Sequence, residues 1–224
     1  MQARHEFKHS INYGYYIILR DRLRHIMSRD VHTDLNGVYR VRSLYFDTPE
    51  DKALFEKIDG VDRREKYRIR RYLGANDYIM LEKKSKINGM CYKRSARLTA
   101  DEVAKIQSGD LSWMIADSRD VVCELYSKMK SEQLKPKTVV DYIREPFVCK
   151  AGNVRITFDL EIRTGLYSTD FLCDSLPTIR ASDELVILEV KYDQFLPEYI
   201  SNVLQLGNRG ATACSKYAMS RIYG

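Results

Sequence analysis

The chain has 224 residues, 44% of them hydrophobic and 30% charged, with a formal net charge of +6 and a pI near 9.0. That is enough apolar content for a full core, so one domain over residues 1–224 is expected, and the positive balance favours an anionic partner. Five scattered cysteines with no CxxC or Cys/His spacing count against a zinc site and a disulfide framework, and no apolar run approaches the ~20 residues that span a bilayer.

The first ten residues, MQARHEFKHS, are charged and lack an apolar signal-peptide core, so a reduced, cytoplasmic setting is expected. A strand is predicted over 6–11, then a helix over 13–27 on the stripe Ile17, Leu19, Leu23, Ile26. A strand over 39–47 leads through the start signal Asp47-Thr48-Pro49 into a short helix over 50–57. Strands over 66–73, 78–86 and 91–98 follow, with turn signals at Gly74-Ala75-Asn76-Asp77 and Asn88-Gly89. Connections this short imply antiparallel pairing. Helices over 100–107 and 119–130 precede strands over 138–147, 154–163 and 185–192, and two closing helices are predicted over 197–206 and 212–223.

The polar positions of these strands are long, mostly cationic side chains. Residues two apart on a strand share a face. One set is Lys66, Arg68, Arg70; the next is Tyr78, Met80, Glu82, Lys84, Lys86. A third is Arg155, Thr157, Asp159, Glu161, Arg163, with Ile156, Phe158, Leu160 and Ile162 opposite, and a fourth is Ile187, Glu189, Lys191. Each strand therefore offers one charged and one apolar face. A sheet resting on its apolar face with its charges solvated would satisfy any single strand. The same bias in several strands favours an α+β fold: an eight-stranded antiparallel β-barrel turned inside out, with helices outside and charges in the lumen. Arg68, Arg70, Glu82, Lys84, Arg155 and Glu189 should then point into one interior.

The densest clusters are REKYRIRR at 64–71, LEKKSK at 81–86 and YKR at 92–94. Arginine offers a planar fork and lysine a point charge, a mixture suited to a chain of phosphates; surface charges neutralised by Glu65 and Glu82 are the plainer alternative. Glu189, with Asp159 and Glu161, could supply oxygens to Mg²⁺ or Mn²⁺, or Glu189 could simply balance Lys191. His5, His9, His25 and His32 have no ligand spacing. Neither GxxxxGK[ST] nor GxGxxG occurs, and residues 207–210 are too short to substitute, so phosphates would be held by side chains. No nucleophile–base arrangement stands out, and phosphoryl transfer needs none.

The ordered motifs EFKH (6–9), VRSLYFDT (41–48), KYRIRRY (66–72), LEKKSK (81–86), YKRSARL (92–98), DYIREPF (141–147), VRITFDLEI (154–162), LEVKY (188–192) and CSKYAMS (214–220) run over nearly the whole chain. Together they resemble the VTC domain, the catalytic domain of vacuolar transporter chaperone polyphosphate polymerases, in its compact bacterial form. The resemblance implies a triphosphate tunnel fold. It also implies phosphate contacts from Lys8, Arg68, Arg70, Lys84, Lys93, Arg144, Arg155 and Lys216, the catalytic ones being Arg68, Arg70, Lys84 and Lys216. Lys191 joins the phosphate-binding set, and Glu189 would hold the metal. The expected activity is transfer of the ATP γ-phosphate to inorganic polyphosphate, dependent on Mn²⁺ or Mg²⁺. ATP and polyphosphate are the expected partners rather than nucleic acid, and a membrane-protein partner could receive the product. Related triphosphatases carry ExExK on the first strand, where this chain has Arg4-His5-Glu6-Phe7-Lys8. That departure counts against hydrolysis, which stays the alternative beside a non-catalytic polyphosphate-binding or sensing module.

Overall fold

The computed structural model describes residues 4–74, 78–181, 185–204 and 214–221. Its elements are β1 (His5–Ile11), α1 (Tyr13–Ile26), β2 (Ser28–Arg29), β3 (Tyr39–Asp47), α2 (Lys52–Ile58), β4 (Arg64–Leu73), β5 (Ile79–Ile87), β6 (Met90–Leu98), α3 (Ala100–Ser108), α4 (Asp120–Ser131), β7 (Lys135–Cys149), β8 (Val154–Thr164), β9 (Ile179–Arg180), β10 (Val186–Tyr192), α5 (Glu198–Leu204) and α6 (Lys216–Ser220). The eight predicted strands and the predicted helices are all present, with β2 and β9 as two-residue additions. Residues 75–77 of the predicted turn, the 207–210 segment and the outer ends of both closing helices lie outside the described residues.

Every strand pair is antiparallel, in the order β1-β10-β8-β7-β3-β4-β5-β6. The sheet curls into a half-barrel whose edges are β1 and β6. A side chain reaches across the open side of the curl: Lys84 Nζ of β5, the strand next to the β6 edge, donates to both oxygens of Glu6 on β1, at 2.6 and 2.7 Å. Local chemistry accounts for the elements. Asn88 and Gly89 both take positive φ, as a tight hairpin with the twist of its strands requires, and the Asp62 carboxylate accepts from both of their amides. Thr99 and Glu102 form a reciprocal capping box on α3, and Gly109 ends that helix in the left-handed region. Asp47, fully buried, accepts from the amides of Thr48, Ala53 and Leu54 and from Tyr217 Oη at 2.6 Å, so it tethers α2 to α6.

Alternation places the apolar faces outward, under the helices. Leu44, Phe46, Tyr67, Ile69, Leu81 and Leu98 pack against Val103 and Ile106 of α3 and Val122 and Leu125 of α4. On the other half of the sheet, Phe147, Ile156, Phe158, Leu188 and Val190 pack against Leu19 and Leu23 of α1 and Ile200 and Leu204 of α5. A third cluster, Val41, Tyr45, Val140, Tyr142, Ile162 and Ile187, lies on the inner face and packs against Tyr217 of α6. An eight-stranded interior is only wide enough to be filled by side chains, so this cluster closes part of the lumen and leaves the charged part open.

One predicted face breaks. β8 carries a bulge: Leu160 pairs with Ile143 and Arg163 with Asp141, so Glu161 and Ile162 together oppose Tyr142. Glu161 takes the bulge conformation at φ 48° and is exposed, Ile162 turns inward, and the parity of the strand flips. Arg155, Thr157 and Asp159 keep the predicted inward face, whereas Glu161 and Arg163 do not. Glu161 is therefore excluded as a ligand in the lumen, and Arg163 bonds to Thr178 instead. No helix among the described residues is long and apolar enough to cross a membrane.

This inversion has a measurable signature in stability. Ile69→Ala, on the buried outer face, should lower the unfolding free energy by about 2–5 kcal/mol in urea denaturation, whereas Lys93→Ala, on the half-exposed inner face, should stay within about 1 kcal/mol.

Candidate functional site

The inner charged faces converge on a cavity of about 410 Å³. Its walls carry eleven basic side chains and three carboxylates. β1 supplies Glu6 and Lys8, β10 Glu189 and Lys191, β8 Arg155 and β7 Arg144. The other half supplies Lys66, Arg68 and Arg70 from β4, Glu82 and Lys84 from β5 and Lys93 from β6, while α6 inserts Lys216. Arg4 completes the set at the mouth, paired with Asp193. Lys8, Arg68, Arg70, Lys84, Lys93, Arg144, Arg155, Glu189, Lys191 and Lys216, singled out in the sequence, all line this one space, and the charged faces are not separately solvated. A larger groove of about 580 Å³ beside α2 and α4 shares Lys66 with this cavity, and its charge is neutralised only in part: Lys83 and Lys128 both bind Glu65, and Lys128 also binds Glu132.

Three anchors organise the cations. Glu82, 2% exposed, accepts from Arg68 Nε at 2.7 Å and Arg70 Nη2 at 2.6 Å, and also pairs with Lys93. Burial by itself would raise this carboxyl; Arg68, Arg70 and Lys93 outweigh it and hold it far below the usual range. Asp159, fully buried, receives a bidentate fork from Arg144 at 2.5 and 2.7 Å and Lys216 Nζ at 2.5 Å. Burial again opposes ionisation, and Arg144 and Lys216 overcome it, bringing the carboxyl down to about 2. The third anchor is the pair Glu189 and Glu6 on adjacent strands. Lys8 lies 3.4 Å from each, Lys191 lies 3.2 Å from Glu189, and Arg144 lies 3.6 Å from Glu189. Burial would lower the Lys8 ammonium, but Glu189, Glu6 and Asp159 raise it above its ordinary value.

Arg70 Nε, Tyr142 Oη and Thr157 Oγ1 are buried on the inner face without a protein partner, and each can donate to an incoming oxygen. Arg155 is more committed: it pairs with Asp30 at 2.7 Å and donates to Tyr39 Oη at 2.7 Å, so it stands at the wall as part of a local network. Asp159 answers to Arg144 and Lys216, which makes it a positioning carboxylate and not a free metal ligand. Glu6 and Lys66 lie within EFKH and KYRIRRY but were given no role there; period-two alternation places them on the faces of Lys8 and Arg68, and both line the cavity.

A family model of the VTC domain matches residues 3–222. The chain belongs to the VTC domain family. A search of the curated proteins by sequence finds no match. Among solved structures, this VTC domain is similar to a candidate adenylate cyclase from Bacillus halodurans, at TM-score 0.55 and 14% identity, covering 91% of this chain and 87% of that one. It is also similar to a candidate adenylyl cyclase from Hippeastrum described as having a dominant triphosphatase activity, at TM-score 0.54 and 14% identity, with 98% and 95% covered. A protein from Pyrococcus horikoshii aligns at TM-score 0.53 and 11% identity over 96% and 98% of the two chains. At these identities the likeness establishes a shared triphosphate tunnel fold.

The donor set of the VTC domain fits a hard divalent cation of a particular kind. No three His, Cys, Asp or Glu side chains among the described residues are grouped to form a metal cage. Glu189 and Glu6 offer carboxylate oxygens from paired strands, already bracketed by lysines. One or two carboxylates plus phosphate oxygens is how Mg²⁺ is commonly held, so the residues suit a cation that arrives with a phosphorylated ligand.

Asp159 gives the site a distinct acid profile. Its carboxyl lies near 2 in the fold against an ordinary 3.8, so its stabilising contribution is complete above about pH 4 and is lost as pH falls toward 2. Asp159→Ala should cost about 3–5 kcal/mol at pH 7 by leaving Lys216 without its carboxylate and Arg144 with only its longer contact to Glu189, and the difference from wild type should shrink at pH 2–3 in urea denaturation.

Proposed function

We propose that this VTC domain is an ATP-dependent polyphosphate polymerase that passes the γ-phosphate of ATP to a growing inorganic polyphosphate chain. The observation that carries this reading is the length of the cationic path. The main cavity shares Glu6, Lys8, Lys66 and Lys84 with a second cavity of about 440 Å³, whose walls add Lys57, Arg64 and Lys86. A triphosphate needs cations for three phosphates, whereas a polymer needs them beyond the third.

In this reading Arg68, Arg70, Lys84 and Lys93 bind the triphosphate, and Glu82 keeps the two guanidinium groups in one orientation so that little reorganisation accompanies binding. Glu189, with Glu6, would hold Mg²⁺ or Mn²⁺; when bound, that ion neutralises charge on the phosphate oxygens. Lys8 and Lys191 bind further phosphates and place the acceptor. An oxygen of its terminal phosphate attacks the γ-phosphorus, the bond from that phosphorus to the β-bridging oxygen breaks, and ADP leaves. Arg144 and Lys216, locked on Asp159, stabilise the negative charge spread over the transferred group. Hydrolysis is the second reading, because water in the acceptor's place gives orthophosphate from the same geometry; the triphosphatase activity described for the Hippeastrum protein belongs to the same fold.

Purified protein incubated with ATP and Mn²⁺ or Mg²⁺ should yield polymer that resolves from orthophosphate on a gel, and Arg68→Ala and Glu189→Ala should each lower the rate by about 10²–10³. Orthophosphate without polymer would replace the polymerase with a triphosphatase. Polyphosphate binding without turnover would reduce the domain to a binding module.

A further inference from the structure

Lys66 differs from the other cations of the cavity. Arg68, Arg70 and Lys93 share Glu82; Arg144 and Lys216 share Asp159; Lys8, Lys84 and Lys191 share Glu6 and Glu189. Lys66, half-buried at the junction of the two cavities, has no carboxylate within ion-pair distance among the described residues. Its nearest aromatic contact is the Tyr45 ring of β3, 6.0 Å from Nζ.

The charges that act on it most strongly are positive. β1 presents Lys8, with Glu6 behind it already taken by Lys84; β5 presents Lys84, directly across the ladder from Lys66, and then Lys86. Arg64 and Arg68 flank it on β4, where Glu65 is occupied by Lys83 and Lys128. Lys57 of α2, Lys216 of α6 and Cys91 of β6 also line these cavities; on the α2 side Lys66 shares the outer groove with Glu56, with Asp47, which is taken by amides and Tyr217, and with Glu132, which is taken by Lys52 and Lys128. Burial and then the charges of Lys8, Lys84, Arg68 and Lys216 lower the Lys66 ammonium well below its ordinary range. A phosphate chain in the cavity would reverse the sign of that field at Nζ.

We propose that Lys66 takes up a proton from solvent when a phosphate chain enters the cavity, so that anion binding here is coupled to proton uptake. The proposal rests on the phosphate-binding reading of the cavity. Its sign follows from linkage: a group that binds a proton along with the ligand makes affinity fall as pH rises between its free and bound pKa values. The coupling also gives the site a way to relieve cation repulsion while empty and to regain full charge when occupied.

Titration calorimetry with inorganic tripolyphosphate at pH 8.5, in Tris and in bicine, tests this, because the two buffers differ in ionisation enthalpy and the ligand's own ionisation is common to every protein compared. Wild type should take up a substantial fraction of a proton more than Lys66→Arg, whose guanidinium is charged in both states. Lys66→Met should show the same reduced uptake as Lys66→Arg and bind about tenfold more weakly. Equal proton uptake by wild type and Lys66→Arg, with both binding, would overturn the coupling and leave the phosphate site intact. Failure of wild type to bind tripolyphosphate, with or without Mg²⁺, would overturn the phosphate-binding reading itself. If Lys66→Met does not fold, Lys66→Arg, which keeps the length and charge, carries the comparison.

Discussion

The constraint on which the structure depends is the confinement of many like charges within one sheet interior. At close range and reduced dielectric, two unit charges repel by several kcal/mol, and the walls of this cavity hold eleven basic side chains. Glu82, Asp159 and the Glu6–Glu189 pair are spaced around the lumen so that nearly every cation has an acidic neighbour. The remaining positive excess gives the cavity its affinity for polyanions. Because the anchors sit on strands of a continuous sheet, the cations are held in place before any ligand arrives, and little ordering remains to be done on binding.

That interior is sustainable because the apolar work is done elsewhere. Two separate layers, one under α3 and α4 and the other under α1 and α5, bury the outward faces of the two halves of the sheet. The inner aromatic cluster around Tyr45, Tyr142 and Tyr217 fills the rest of the lumen and supports α6. Through Asp47 and Tyr217 the same helix is tied to α2, and this brings Lys216 to Asp159. Stability and chemistry are thus divided between the two faces of the same strands, residue by residue.

Much of this was legible in the chain. The strands over 39–47, 66–73 and 91–98 were predicted to within two residues of their observed ends, because alternation is a local property of the pleated backbone. The inward set Arg68, Arg70, Glu82 and Lys84 followed from the same period. Alternation misled at β8, where one residue in the left-handed region at Glu161 reversed the face for everything after it. Nothing in VRITFDLEI marks that position, since the bulge is set by pairing with Tyr142 on another strand. Glu6 and Lys66 were on the right faces but were read as ordinary members of a charged strand.

The sequence by itself determined the elements, the antiparallel pairing of strands joined by short turns and, up to the bulge of β8, the division of the strands into a charged and an apolar face, since these depend on neighbours a few residues apart. Only the tertiary structure decided which charges meet. Glu6 and Lys84 are far apart in the chain and join the β1 edge to β5, next to the opposite edge, Asp159 becomes the anchor of Arg144 and Lys216, and Lys66 is left among cations. Such pairings follow from curvature and register accumulated over eight strands, and no local pattern records them.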